Sequence, residues 1–286
     1  MSSLPRIAAR LFGTPLLLEP GRLEQLVAIA GPRLLGLGTL NAFDAPPLEP
    51  SDLPRMIGST AVIPVHGTIM HRTGGLASMS GAVSTEKITS QFRTALRNPE
   101  VGGILFDIES PGGEPHGLFQ LAEEIRAAGK PTVAVANSSA FSGGYLIASA
   151  ADKIVVPDTG GVGSIGVVAT HVDQSVAESQ AGVRVTHITA GERKVDGTPH
   201  APLSDSARSR IQAEVNRLHD LFVGAVNAGR SGMSEKAIRA TEAGTFYGSD
   251  AVKAGLADQV GNFQTALSLL SEQRQAPRKA MVCLVR

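Results

Sequence analysis

The chain has 286 residues, 42% of them hydrophobic, with 26 basic and 26 acidic residues and no formal net charge. That is enough apolar material for a sizeable core, which excludes a disordered chain, and the balanced charge supplies no global field to draw in nucleic acid. Cys283 is the single cysteine, which excludes an internal disulfide, a cysteine-rich zinc site and a Cys-x-x-Cys redox pair and suits the cytoplasm.

No apolar run approaches the ~18 residues of a membrane span. The apolar stretch near the start is broken by Arg10, Pro15 and Glu19, so it makes a poor export signal. The expectation is a soluble cytoplasmic protein. Aromatics make up 4% and tryptophan is absent, so stacking platforms for single-stranded nucleic acid are not expected.

In chain order, residues 1–55 read as an N-terminal arm with helical spacing at Leu23, Leu26, Val27 and Ile29, ending in a proline-rich linker from Ala45 to Pro54. Residues 56–270 read as one folded unit, and 271–286 as a basic C-terminal tail. Within the unit, 61–65 predicts a strand, 85–96 a helix, and 102–108 a strand whose unbroken apolar run suits burial on both faces. Residues 114–128 predict a helix, 132–136 a strand, 142–151 a helix and 153–156 a strand. This alternation argues for an α/β fold with a largely parallel sheet and right-handed crossovers. Further on, 183–189 alternates like a strand. Ser204 is placed to cap a long helix reaching about Ala228, with Ile211, Val215, Leu218, Leu221, Phe222 and Val226 as its apolar stripe. Short helices are predicted near 234–240 and 249–254.

Four segments carry candidate chemistry. S-P-G-G at 110–113 follows a strand and precedes a helix, where ligands bind in parallel sheets. Alone it reads as an ordinary strand-to-helix turn. A-F-S-G-G-Y at 140–145 again joins strand to helix. Ser142 there is either a helix cap or a nucleophile on a tight turn, with the Gly143 N–H as an oxyanion donor. G-S-I-G-V at 163–167 is a run of very small residues, and a glycine-rich turn explains it as well as a site does. Lys194 lies in A-G-E-R-K-V-D-G-T-P, residues 190–199. A lysine acts as a base only when desolvation lowers its pKa, and most lysines are solvated surface charges.

Of seven histidines, His116 is the rival base because it adjoins the S-P-G-G loop, but no acid in the sequence is identified as its orienter. S-T-E-K at 84–87 matches a serine-x-x-lysine motif, yet it reads as the capped start of a helix. No metal-ligand spacing is convincing.

Taken in order, S-P-G-G, then S-G-G-Y with A-S-A-A-D-K-I-V close behind, then G-S-I-G-V, then a lysine about fifty residues past the serine, resemble the signal peptide peptidase A family of serine–lysine peptidases, which shares the Clp protease/crotonase-like fold of repeated β-β-α units. The resemblance spans roughly residues 60–262. K-V-D-G-T-P at 194–199, Y-G-S-D-A-V-K-A-G-L-A-D at 247–258 and A-A-R-L-F-G-T-P-L-L-L-E-P at 8–20 are similar to the head-maturation proteases of tailed phages within that family. The resemblance implies a serine endopeptidase domain at 56–270. Ser142 is then the nucleophile, Lys194 its general base, and Ser164 the residue orienting the lysine, with the Gly113 and Gly143 N–H groups as oxyanion hole. It implies no metal or organic cofactor. It also implies protein substrates such as scaffold, portal or capsid proteins, a homo-oligomeric ring, and action in the host cytoplasm within the procapsid. The small residues of these motifs suggest small side chains before the cleaved bond.

Three other readings compete. One is a bacterial signal-peptide-peptidase-like enzyme degrading peptides. The second is a crotonase-like acyl-CoA hydratase using Glu109 and Glu114, and the third an inactive structural protein.

Overall fold

A computed structural model describes residues 14–25, 53–73 and 81–275. Most of the predicted linker and the basic tail past residue 275 lie outside these residues.

The strands are β1 (Leu17–Leu18), β2 (Arg55–Ile57), β3 (Thr60–His66), β4 (Thr68–Met70), β5 (Ala82–Ser84), β6 (Gly103–Ser110), β7 (Gly112–Gly113), β8 (Thr132–Phe141), β9 (Lys153–Val156), β10 (Gly161–Gly163), β11 (Thr245–Tyr247) and β12 (Gln259–Val260). The helices are α1 (Thr85–Arg97), α2 (Leu118–Arg126), α3 (Gly143–Ser149), α4 (Ser175–Gln180), α5 (Asp205–Gly229), α6 (Glu235–Arg239), α7 (Gly248–Lys253) and α8 (Phe263–Gln275), with a 3-10 turn at Glu192–Val195.

Two sheets result. The large one runs β11-β10-β8-β6-β3-β2, with β9 on the first half of β8 and β12 beside β9. Its interior pairs β3–β6, β6–β8, β8–β9 and β8–β10 are all parallel. The small sheet runs β1-β7-β4-β5. The β-β-α repeat is visible in the order of elements. β3 and β6 enter the large sheet, β4 and β7 continue into the small one, and α1 and α2 follow. The fold is therefore the α/β class that the sequence predicts.

Alternation of side chains along the strands explains the unbroken apolar runs. Ile104, Phe106, Ile108, Ala134 and Ala136 face the main core, with Ile88, Phe92, Leu118 and Tyr145 from the helices. Leu105, Val133, Val135 and Val155 face the other way, onto Ala266 and Leu270 of α8. Both faces of the sheet are covered, as parallel sheets require.

Three sequence expectations change. The helix predicted from residue 114 begins at Leu118, because Pro115 and a left-handed Gly117 (φ 80°) turn the chain first. The strand predicted at 183–189 does not form. Val183, Val185 and Ile188 are solvent-exposed there, and no neighbouring edge pairs with them among the described residues. On α5, Leu218, Phe222 and Val226 are buried as expected, but Leu221 faces solvent. The two helix starts marked by serine hold: Ser84 Oγ accepts from Lys87 N–H, and Ser204 Oγ from Ala207 N–H.

Candidate active site

β8 ends at Phe141 and α3 begins at Gly143, so Ser142 occupies the turn between them. Its backbone lies at φ 51°, ψ −115°, a conformation that costs a non-glycine residue roughly 1–3 kcal/mol. Two hydrogen bonds hold it: Ser142 N–H donates to Gly163 C=O at 2.9 Å, and Leu146 N–H to Ser142 C=O at 3.0 Å. The side chain is fully buried, and its Oγ caps nothing in α3 and has no hydrogen-bond partner among the described residues. The helix-cap alternative left open by the sequence is thereby removed. A strained, unpartnered buried hydroxyl needs another explanation.

The S-P-G-G loop lies directly against it. A Cβ on Gly112 would stand 2.7 Å from Gly143 N and 3.0 Å from Ser142 Cβ, and one on Gly113 would stand 1.8 Å from Ile69 O. Only glycine fits at either position, so the backbone of β7 reaches the start of α3 without side chains between. Gly113 N also lies 3.4 Å from where a Gly143 Cβ would stand. Both N–H groups assigned to the oxyanion hole therefore belong to one small region beside Ser142.

Ser110 holds that loop, which motif reading alone does not reveal. It is fully buried, its Oγ donates to Gly67 C=O at 2.7 Å, and the Gly112 N–H donates back to it at 3.1 Å.

Ser164 follows β10 as Ser142 follows β8. The parallel register pairs Gly163 with Phe141, so the two serines are the next residues on adjacent strand ends. Ser164 too is buried and has positive φ (53°), and its N–H donates to Gly244 C=O.

Lys194 stands apart. It lies on the 3-10 turn, exposed, its N–H donating to Gly191 C=O at 3.1 Å, and its side chain makes no hydrogen bond or ion pair among the described residues. Its segment is nevertheless fastened. Asp196 is held by both guanidinium arms of Arg210 at 2.6 and 2.7 Å, which keeps its carboxyl below the usual range. The Thr198 carbonyl accepts from His171 Nε2 and its hydroxyl bonds His187 Nε2, each at 3.0 Å, and His200 meets Glu178 at 2.6 Å.

The rival groups go elsewhere. His116 is exposed and stacks edge-on with His71 at 6.2 Å. Glu114 is buried with its carboxylate on the His71 N–H, whereas Glu109 is exposed. These two glutamates do not converge as the acid and base of a hydratase must. No group of histidine, cysteine, aspartate or glutamate suited to a metal ion occurs among the described residues.

The family model "Peptidase family S49" matches residues 124–276. The chain is 34% identical over 94% of its length to the head-tail preconnector protein GP5 of Enterobacteria phage P21, of which it spans 57%. It is 33% identical over 98% of its length to the capsid assembly protease C of Escherichia phage lambda, spanning 68% of it. A putative signal peptide peptidase SppA of Enterococcus faecium is 29% identical over 66% of this chain and 56% of its own. With its family match beginning at the foot of α2 and taking in both serine turns and the lysine segment, the chain belongs to peptidase family S49.

Proposed function

We propose that the chain is a serine endopeptidase of capsid assembly, cleaving scaffold and head proteins through Ser142 and Lys194. One observation carries the chemistry: a buried hydroxyl, held at a strained turn and without a hydrogen-bond partner among the described residues, beside two side-chain-free backbone N–H groups. Two relatives named for head assembly, matched over most of this chain, support the setting.

Neutral Lys194 takes the proton as Ser142 Oγ attacks the scissile carbonyl. The resulting oxyanion accepts from the Gly113 and Gly143 N–H groups, charge stabilisation of the kind that counts most in acyl transfer. As the C–N bond breaks, the protonated lysine returns its proton to the leaving amine. Water, deprotonated in turn by Lys194, then releases the acyl group and restores Ser142. Ser164 holds the lysine in place.

The exposed lysine must become dry for this scheme to run. The segment that bears it also exposes Val176, Val183, Val185 and Ile188, apolar groups that no described residue covers. We infer that copies assemble over this segment and bring Lys194 to a Ser142. That accounts for a single chain with glycine N–H groups beside Ser142 and a solvated Lys194.

The test is co-expression with the candidate scaffold protein. Unaltered chain should cleave it, and Ser142→Ala and Lys194→Ala should each abolish cleavage. If both variants cleave like the unaltered chain, the mechanism is wrong.

A further inference from the structure

The outer strand of the small sheet comes from the N-terminal arm. β1 runs antiparallel along β7, with Leu17 opposite Gly113 and Leu18 opposite Gly112. Glu19 N–H donates to Pro111 C=O at 2.8 Å. Hydrogen-bonded pairs recur every second residue in such a ladder, so Leu17 and Gly113 form one as well, and the Gly113 N–H meets the Leu17 carbonyl. The same oxygen lies 3.3 Å from where a Gly143 Cβ would stand. The Leu17 carbonyl therefore sits in the region assigned to the oxyanion. On the opposite edge, Leu16 exchanges both backbone bonds with Val168, at 2.8 and 3.0 Å. Leu16, Leu17 and Leu18 are 4%, 0% and 3% exposed, and Ser142 at 0% is sealed with them.

An extended segment paired on both edges, with one carbonyl at the oxyanion donors, is the posture of a peptide awaiting attack. We propose that Leu16–Glu19 occupies the substrate groove of its own chain, with Leu17 on the acyl side and Leu18 on the leaving side of the site. The groove then accepts an extended, leucine-rich segment, and a side chain as large as leucine before the bond, in place of the small one that the glycine-rich motifs suggest. With Lys194 out in solvent the Leu17–Leu18 bond is held and not cut. The segment acts as an occupant that a scaffold strand must displace, which weakens apparent substrate binding by the fraction of time the groove is open. This inference rests on Ser142 being the nucleophile.

The experiment compares fluorophosphonate labelling of Ser142 in the unaltered full-length chain and in Leu17→Asp. A charge at a fully buried position expels the segment, so the variant should label at least about tenfold faster. The synthetic peptide Thr-Pro-Leu-Leu-Leu-Glu-Pro, copying residues 14–20, should slow the variant's labelling in a dose-dependent way. Equal labelling rates in the two chains overturn the inference while leaving Ser142 a reactive nucleophile. Absence of labelling in both overturns the peptidase reading and this inference with it. Should Leu17→Asp fail to fold, hydrogen exchange on the unaltered chain decides. Labelled Ser142 should speed exchange at the Leu16 and Glu19 amides, and unchanged protection at both overturns the proposal.

Discussion

At the scale of single residues, Ser142 combines strain with an unmet hydrogen bond. Both costs fall away in Ser142→Gly, which should raise stability by about 1 kcal/mol while abolishing cleavage, as urea unfolding and a digestion assay would show. The opposite holds one loop away. Gly113→Ala would push a methyl into the Ile69 carbonyl, so loss of soluble folded protein is expected. Ser110→Ala should cost about 1–3 kcal/mol, because Gly67 C=O and Gly112 N–H both lose their buried partner. Ser142, Ser164, Gly113 and Gly143 were legible as motif positions, since each must be tiny or hydroxylic whatever surrounds it. Ser110 was not legible as a clamp, because its partner Gly67 is distant in sequence and carries no signal of its own.

At the scale of elements, α3 is fixed by Tyr145. Burial pushes its phenol well above the ordinary range, so it stays a neutral donor, and its hydroxyl meets Leu256 C=O at 3.0 Å. Tyr145→Phe should therefore destabilise by about 1–3 kcal/mol in thermal or urea unfolding, and should slow cleavage by loosening the helix behind Ser142. The end of α5 is tied to the sheet by Arg230, whose guanidinium reaches Asp258 at 2.7 Å and Gly255 C=O. Burial raises the Asp258 carboxyl, but the bonds from Arg230 and the Ile154 N–H outweigh it, and the net pKa is lowered from 3.8. Its stabilising contribution is thus present above about pH 4 and fades as the pH falls through the lowered value. Arg230→Ala should remove about 3 kcal/mol at neutral pH and flatten this acid limb, as urea midpoints at pH 7 and pH 3 would show. Elements were legible where one periodicity coincided with real burial, as in the apolar run at 102–108. The alternation at 183–189 misled because a period of two makes a strand only where an edge is available to pair with it.

At the scale of the whole molecule, one chain carries the glycine backbone of the proposed oxyanion hole beside Ser142 and an exposed Lys194. The exposed valines and Ile188 on the lysine segment predict self-assembly. Ile188→Asp should lower both the mass of the assembled particle, read by light scattering, and the cleavage rate, together. No sequence motif records this, because a single chain's pattern does not distinguish surface that a second copy will cover. The most direct test of the Ser142–Lys194 pairing is the pH dependence of Ser142 acylation in the assembled protein, for the unaltered chain, Lys194→Ala and His116→Ala. The rate should rise with pH, the rise should vanish in Lys194→Ala, and it should persist in His116→Ala. A rise that survives in Lys194→Ala, or disappears in His116→Ala, would contradict the account.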